Sequence, residues 1–253
     1  MNIVLIGSGN IASTWGKALA ALGHHITQIY SHTLANAHAL ANSLSSLATD
    51  KLEELDLTAD LYIVAVSDSA IPSVVEQMLQ HLAGLVIHCS GATDIKALSG
   101  FKRFGVVYPV QSFSKTVAIN FNKIPFGIEA NTAEDEALLQ GLFSELSSNV
   151  FPCSSEQRLA IHLAAVMVNN FSNALYQMAY ELLEQKNLSF DLMRPIILET
   201  AEKVQNHVPK DVQTGPAIRN DDVTINKHLQ FISDNPEWQS IYQQITSLIK
   251  KRG

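Results

Sequence analysis

Glycine residues with a characteristic spacing lie directly after the first apolar run of the chain. Gly7 and Gly9 follow residues 2–6, and Ala12 completes the pattern G-x-G-x-x-A. Between a strand and a helix this pattern predicts dinucleotide binding, because the glycines permit a tight turn and a close approach to a pyrophosphate. The helix N-terminus then binds the phosphates. The predicted binding residues are Gly7, Ser8, Gly9, Asn10, Ile11 and Ala12. The alternative is a domain of this type that has lost its nucleotide.

The end of the second predicted strand bears on which dinucleotide binds. Sites for NAD place an Asp or Glu about 20 residues after the glycine motif, where it binds both ribose hydroxyls. Here the strand ends in Ser31-His32-Thr33, without an acid. The two hydroxyls can bond a 2′-phosphate and a protonated His32 can add charge, whereas a carboxylate would repel the phosphate. These residues favour NADP over NAD, although the arginine common in such turns is missing.

Two further strand ends should lie at the same crevice, because ligands bind outside the carboxyl ends of parallel strands. One strand ends in Val66-Ser67-Asp68, and the next is followed by Ser90-Gly91. We expect Val66, Ser67, Ser90 and Gly91 to contact the ribose or the carboxamide of the nicotinamide half. An equally good interpretation is that Ser67 and Asp68 only cap the next helix.

A polar row lies on a long helix predicted for residues 155–185. Arg158, His162, Asn170 and Asn173 follow one another at spacings of four, eight and three, which places them along one stripe of an otherwise apolar helix. Buried polar groups need partners, so the row is either an internal hydrogen-bond network or the wall of a polar cleft. Histidine can donate a proton to a substrate heteroatom, and Asn can orient the substrate. We expect His162 to be the acid/base and Asn170 an orienting residue; a core histidine with satisfied hydrogen bonds is the alternative.

A polar loop at residues 209–222 forms a second dense cluster. Its Gly215-Pro216 pair fixes the backbone, and Arg219 can clamp a substrate carboxylate with two parallel hydrogen bonds. The alternative is that Asp221 or Asp222 caps the next helix and that Arg219 forms an ion pair. The segment 108–113, which follows the sixth predicted strand, is expected to reach the substrate side.

The elements that position these residues alternate along the first part of the chain. Short β-branched runs predict strands at 2–6, 25–30, 61–66, 85–88, 103–107 and 126–129, and helical patterns lie at 11–22, 34–44, 71–82 and 132–147. This alternation predicts a doubly wound, mostly parallel α/β sheet. After Cys153 the pattern is helical only, at 155–185, 191–206, 223–233 and 236–250. We therefore predict an α/β domain at 1–152 and an all-α domain at 153–253. Residues 163–168 are apolar on every side of their helix, so we expect burial inside the domain or against a second subunit.

The composition limits the partners. Of the 253 residues 47% are hydrophobic and 16% charged, with a net charge of −7, which gives no electrostatic reason to expect nucleic acid or an anionic membrane surface. Cys89 and Cys153 are too few for a disulfide framework and have no metal-ligand spacing. No basic, signal-like segment precedes the first apolar run. We expect a cytoplasmic protein that binds a small molecule, without metal, nucleic acid or membrane.

The motifs together resemble one bacterial family. The glycine motif, the stretch Arg158-x-x-x-His162-Leu-Ala-Ala-Val-x-x-Asn169-Asn170 and the run Thr214-Gly-Pro-Ala-x-Arg219-x-Asp221 look like the family that pairs a Rossmann-like domain with a C-terminal domain of unknown function 2520. More distantly the layout is similar to ketopantoate reductase, pyrroline-5-carboxylate reductase and 6-phosphogluconate dehydrogenase-type oxidoreductases. Those relatives imply NADP-linked reduction at the domain interface, a helical domain of the 6-phosphogluconate-dehydrogenase C-terminal type, and a homodimer built through it. The lysine that several of them use is absent from residues 151–185.

Two functions are compatible with these residues. The first is an NADP-dependent oxidoreductase that transfers hydride between nicotinamide and a small carbonyl, hydroxy-acid or imine substrate bound between the two domains, with His162, Asn170 and Arg219 at the substrate. The alternative is a catalytically inactive NADP-binding sensor or scaffold protein. The polar row counts against the alternative, because a protein that only binds the nucleotide does not need it.

Overall fold

Two compact units make up the chain, Met1–Asn169 and Asn170–Gly253. The computed structural model describes residues 1–113 and 119–251. Contacts thus divide the chain after Asn169, within the long helical segment, whereas the sequence pattern changes near residue 153. The domain bounds 1–152 and 153–253 stay a prediction.

The first unit contains, among its described residues, one sheet of eight strands in the order β3-β2-β1-β4-β5-β6-β7-β8. Each pair of neighbouring strands is parallel, except that β6 and β7 are antiparallel to each other. The strands are β1 (Asn2–Ile6), β2 (His25–Tyr30), β3 (Leu47–Thr49), β4 (Leu61–Val64), β5 (Leu85–His88), β6 (Phe104–Pro109), β7 (Phe126–Ala130) and β8 (Val150–Pro152). The helices of this unit are α1 (Asn10–Ala21), α2 (Leu34–Leu44), α3 (Ile71–Gln77), α4 (Ala133–Ser144) and α5 (Ser155–Ala165). The doubly wound sheet predicted from the sequence is confirmed.

The strand order reverses between β1 and β4, and this reversal positions the site. Strands β4 and β5 are fully buried because apolar clusters cover both faces of the sheet. On one face α1 packs through Trp15, whose ring lies 5.0 Å from that of Phe143. In a sheet of this type the crevice at the carboxyl edge of the two central strands is where ligands bind.

Several element bounds differ from the sequence prediction. The strand predicted at 61–66 ends at Val64, and the helices predicted at 71–82 and 132–147 end at Gln77 and Ser144. The strand predicted at 103–107 runs from Phe104 to Pro109. Strands β3 and β8 were not predicted, since runs of three residues each are too short to show a period.

The second unit is helical in its described part and contains α6 (Ser172–Glu184), α7 (Arg194–Asn206), α8 (Asp222–Phe231) and α9 (Pro236–Lys250). The predicted long helix is present as α5, a π-helical turn at Val166–Phe171, and α6. Of the two alternatives for its apolar middle, burial inside the chain is wrong, because Leu163 is 52% exposed and Val168 75% exposed. Burial against a second subunit stays a prediction. No helix in the described ranges is long and apolar enough to span a membrane.

Candidate functional site

Gly7 forms the turn that carries the chain from β1 to α1. Its φ is +122°, in the region that favours glycine. A Cβ atom at this position would lie 2.5 Å from the carbonyl oxygen of Ala65, just after β4. Both the backbone conformation and the close approach therefore require glycine, as the motif predicted.

Gly9 has a different reason to lack a side chain. Its φ is −74°, which any residue can adopt, and an added Cβ would meet no atom within 4 Å. It precedes α1, and no side chain caps that helix, so the first N–H groups of the helix are open to a ligand. Ala12 is buried against the sheet. The space beside Gly9 is what a pyrophosphate at a helix N-terminus requires.

A cleft of about 460 Å³ continues from this turn along the carboxyl edge of the sheet. Its lining residues are Gly7, Ser8, Gly9, Tyr30, Ser31, His32, Ala65, Val66, Ser67, Ala70, Ser73, Val74 and Gln77. None of the described lining residues is acidic. The Ser8 and Ser31 hydroxyls lie 2.9 Å apart and connect the glycine turn to the end of β2. His32 lies exposed at the cleft.

The other residues predicted to contact the cofactor differ in exposure and in the hydrogen bonds that they form. Asn10 donates from Nδ2 to the Phe113 carbonyl at 2.8 Å and so fixes the segment that follows β6. Thr33 is exposed and precedes α2 without capping it. Ser67 makes no side-chain cap to the short turn at Asp68–Ala70, and no side chain caps the helix α3 that follows it. The capping alternative is therefore not observed. The Ile11 side chain is partly buried against the core, and its role as a contact residue stays a prediction.

Ser90 and Gly91 form a tight turn after β5. The buried Ser90 hydroxyl accepts hydrogen bonds from the backbone N–H groups of Ala92 and Thr93, at 3.1 and 2.9 Å. A Cβ on Gly91 would lie 2.7 Å from the imidazole of His162. Gly91 therefore permits the close approach of α5 to this turn.

His162 lies beside Tyr108 at the carboxyl end of β6. Nδ1 of His162 is 3.2 Å from the Tyr108 hydroxyl, and the two rings meet edge to face with centroids 5.9 Å apart. Burial raises the pKa of the Tyr108 hydroxyl, and the Asp68 carboxylate adds to this rise. The hydroxyl is therefore protonated near neutral pH. The Tyr108 hydroxyl can therefore donate a hydrogen bond to the His162 ring or accept one from it.

Arg158, the first member of the predicted polar row, is part of an internal network. It is 1% exposed, and its guanidinium donates to Glu129 at 2.5 Å and to the Thr93 carbonyl at 2.6 Å. The network lies near His88, a fully buried residue on β5 whose Nδ1 accepts from the Ser90 N–H. Burial, and then the Arg158 charge, lower the pKa of His88 to about 4, so this ring is neutral at physiological pH.

Comparison with known proteins gives the family. A Rossmann-like domain model matches residues 1–110, and a model described as domain of unknown function DUF2520 matches residues 124–249. A candidate NADP oxidoreductase of Bacteroides fragilis is 42% identical in sequence, with a TM-score of 0.89, and the match covers 99% of this chain and 98% of that one. The chain belongs to the Rossmann-like/DUF2520 family.

More distant structures share the fold with this DUF2520 protein. Pyrroline-5-carboxylate reductase of Streptococcus pyogenes is 14% identical, with a TM-score of 0.67 over 99% of this chain and 98% of that one. A reductive aminase of Aspergillus terreus, in complex with NADPH and ethyl-5-oxohexanoate, is 13% identical, with a TM-score of 0.75 over 99% and 92%. No curated protein matches the sequence.

The remaining predicted residues of this DUF2520 protein belong to the second unit. Asn170 is exposed in the π-helical turn, and Asn173 is exposed at the start of α6. Arg219 is exposed, and it forms no salt bridge with any described residue. Asp221 caps α8 by accepting from the Thr224 N–H at 3.0 Å. The capping half of the alternative is thus observed, the ion pair is not, and the substrate roles of Asn170 and Arg219 stay predictions.

Sequence reasoning missed Tyr108 as a site residue, although it placed the segment 108–113 on the substrate side. The available signal was the position of Tyr108 at a strand end, followed by Pro109. Its partner lies 54 positions further along the chain, and no spacing rule connects them.

Proposed function

We propose that this DUF2520 protein is an NADP-dependent oxidoreductase. The observation that carries the proposal is the open space beside Gly9, at an uncapped helix N-terminus, in a cleft whose described lining residues include no acid. This is the environment that a dinucleotide pyrophosphate requires. Support also comes from the relative that is 42% identical and is itself a candidate NADP oxidoreductase.

The cofactor assignment rests on which side chains line the adenosine end of the cleft. Ser31 and His32 line it directly, and Thr33 follows them at the start of α2. Their hydroxyl and imidazole groups can bond a 2′-phosphate, whereas an acid at this position would repel it. Val66 and Ser67 also line this cleft. We therefore expect NADP to bind more tightly than NAD.

The reaction that we propose is hydride transfer to or from a small carbonyl, hydroxy-acid or imine compound. The bound nicotinamide supplies or accepts the hydride. His162 exchanges the proton at the substrate heteroatom, and its neighbour Tyr108 is the only described residue with a hydrogen bond to its ring. Asn170 and Arg219 are proposed to orient the substrate, the latter by binding a carboxylate.

A screen of small carbonyl compounds and cyclic imines tests this function. Turnover is followed through the absorbance of the reduced nicotinamide, with NADPH and with NADH. We expect His162→Ala to slow turnover about 100-fold or more, because general acid catalysis contributes at least that factor, while NADPH still binds. Full turnover by His162→Ala would remove the acid/base assignment. Tight NADPH binding without turnover of any compound would favour the sensor alternative.

We also propose a homodimer formed through the helical part of the chain. Along α5 and the π-helical turn, large apolar side chains are exposed, among them Leu159 at 51%, Leu163 at 52%, Met167 at 52% and Phe171 at 56%. In the described part of the second unit the buried hydrophobic residues are Ala217 and Ile225. Apolar exposure on this scale is typical of an interface. A dimer interface on this helix also explains why its apolar side chains are exposed in the single chain.

The oligomeric state is measured by sedimentation of the wild type and two charged variants. Val168→Glu changes a 75% exposed residue of the π-helical turn, and Leu47→Glu changes a 72% exposed residue of β3. We expect a dimer for the wild type and for Leu47→Glu, but a monomer for Val168→Glu, because a buried unpaired charge is costly at an interface. A monomeric wild type would contradict the proposal.

A further inference from the structure

Tyr108 is fixed at the carboxyl end of β6. It is 7% exposed, and its strand is paired on one side with β5 and on the other with β7. Its hydroxyl oxygen carries two lone pairs and one proton. Because burial raises the pKa of this hydroxyl, the oxygen keeps its proton near neutral pH and can still accept a hydrogen bond.

The imidazole of His162 is fixed from two sides. Gly91 lies directly against the ring, at a distance that leaves no room for a Cβ atom. Nδ1 lies 3.2 Å from the Tyr108 oxygen. Nε2 has no hydrogen-bond partner among residues 1–113 and 119–251. The two ring nitrogens therefore differ: Nδ1 lies within hydrogen-bond distance of the Tyr108 oxygen, whereas Nε2 is not bonded to any described residue.

We propose that Tyr108 is a positioning residue, which accepts a hydrogen bond from Nδ1–H of His162 and so leaves Nε2 as the nitrogen that exchanges a proton with substrate. This inference rests on the proposed function, in which His162 is the acid/base. Fixing one nitrogen of a functional histidine through a bond to the other is a general way of selecting its tautomer.

The proton balance favours this direction of the hydrogen bond. During reduction the substrate carbon receives a hydride with its electron pair, and the heteroatom receives the Nε2 proton of the imidazolium. The ring becomes neutral and keeps Nδ1–H bonded to the Tyr108 oxygen. If Tyr108 donated to Nδ1 instead, the neutral ring would carry Nε2–H, and loss of that proton would produce an imidazolate. The reverse reaction needs a free Nε2 lone pair, which only the first arrangement provides.

Nitrogen NMR on protein labelled with ¹⁵N-histidine tests the proposal without any substrate. The His162 signals are assigned by their loss in His162→Gln. In the wild type we expect the neutral ring to show a protonated Nδ1 and an unprotonated Nε2. In Tyr108→Phe, which keeps the aromatic ring and loses the oxygen, the Nε2–H tautomer should become the major form.

Tyr62→Phe is the matched control. Tyr62 is fully buried on β4, and its hydroxyl donates to the Asp56 carbonyl at 2.6 Å, so this variant also loses one buried tyrosine hydrogen bond. The His162 signals should not change. With a substrate in hand, Tyr108→Phe should lower kcat about tenfold and leave KM nearly unchanged, as expected for a residue that orients a functional histidine.

Two results would overturn the proposal: an unprotonated Nδ1 in the neutral wild-type ring, or a tautomer that is the same in Tyr108→Phe. Once the His162 signals are assigned, the wild-type spectrum can overturn the proposal even if Tyr108→Phe fails to fold. The tautomer shift with no NADPH binding would support the role of Tyr108 and contradict the proposed function, so the two failures are distinguishable.

Discussion

His88 makes the stability of the first unit depend on pH in a way that can be calculated. The side chain is fully buried on β5. Burial, and then the nearby Arg158 guanidinium, lower its pKa from the usual 6.5 to about 4. The folded state therefore keeps the ring neutral over a range in which the unfolded chain binds a proton.

The sign and the size of the effect follow from this difference. Since the folded pKa is below the unfolded one, the stability is fully present above pH 6.5 and is lost as the pH falls towards 4. A tenfold change in proton affinity is worth about 1.4 kcal/mol, so the complete loss is about 3 kcal/mol. Between pH 7 and pH 5 the linkage relation gives a loss of about 2 kcal/mol from this residue alone.

Urea unfolding of wild type and His88→Asn between pH 7 and pH 5 measures this contribution. The Asn side chain can still accept the Ser90 N–H bond but does not titrate. A Trp238→Phe background leaves Trp15, which is fully buried in the first unit, as the fluorescent reporter. We expect the wild type to lose about 2 kcal/mol more than His88→Asn over this range.

Tyr62→Phe is the control for the pH series, because it weakens the same sheet without removing a histidine. Its free energy of unfolding should run parallel to that of the wild type at every pH. If wild type and His88→Asn ran parallel to each other as well, the buried neutral state of His88 would be refuted.

Two further substitutions test the packing around the site. Gly91→Ala places a methyl group 2.7 Å from the His162 ring, so thermal unfolding should show a stability lower by about 1–3 kcal/mol. Gly141→Ala is the control, because a Cβ atom there meets nothing within 4 Å. This variant should be as stable as the wild type or more stable by up to about 1 kcal/mol. Arg158→Met removes one partner of a buried ion pair and should cost about 3 kcal/mol in urea unfolding. The exposed ion pair between Arg194 and Asp191 is its control, since Arg194→Met should lower the free energy of unfolding by less than about 1 kcal/mol. Equal costs for both arginine variants, or a harmless Gly91→Ala, would contradict this account of the packing.

The glycine turn and most of the sheet could be predicted from sequence because their determinants are local. Gly7 needs its positive φ and lies beside a strand end. Apart from Asn2 the central strands β1 and β4 are buried runs of hydrophobic residues, since both of their faces are covered. The expectation of a ligand cleft then follows from the parallel sheet, because the carboxyl ends of its strands meet at one edge.

The hydrogen-bond partners of Arg158 and His162 could not be predicted in the same way, because they are not local in the sequence. Helical periodicity placed Arg158 and His162 on one stripe. Their hydrogen-bond partners Glu129 and Tyr108 lie on the strands β7 and β6, far away in the sequence. The π-helical turn at Val166–Phe171 interrupts the α-helical spacing on which the predicted stripe depends, and the sequence shows no Gly or Pro there to indicate it. The sequence predicted that the long helix is buried, but an apolar pattern does not say whether the same chain or a second subunit covers the helix.

Titration with NADPH and NADH tests the central claim most directly, using the wild type, Gly9→Ala and Gly141→Ala. A side chain at Gly9 strains no backbone and meets no atom within 4 Å, so its methyl group can interfere only with a ligand. We predict that the wild type and Gly141→Ala bind NADPH equally and more tightly than NADH. For Gly9→Ala we predict an NADPH affinity at least about tenfold weaker, or about 1.4 kcal/mol, with unchanged thermal unfolding. Equal NADPH affinity of the wild type and Gly9→Ala, or no binding to the wild type, would contradict the account.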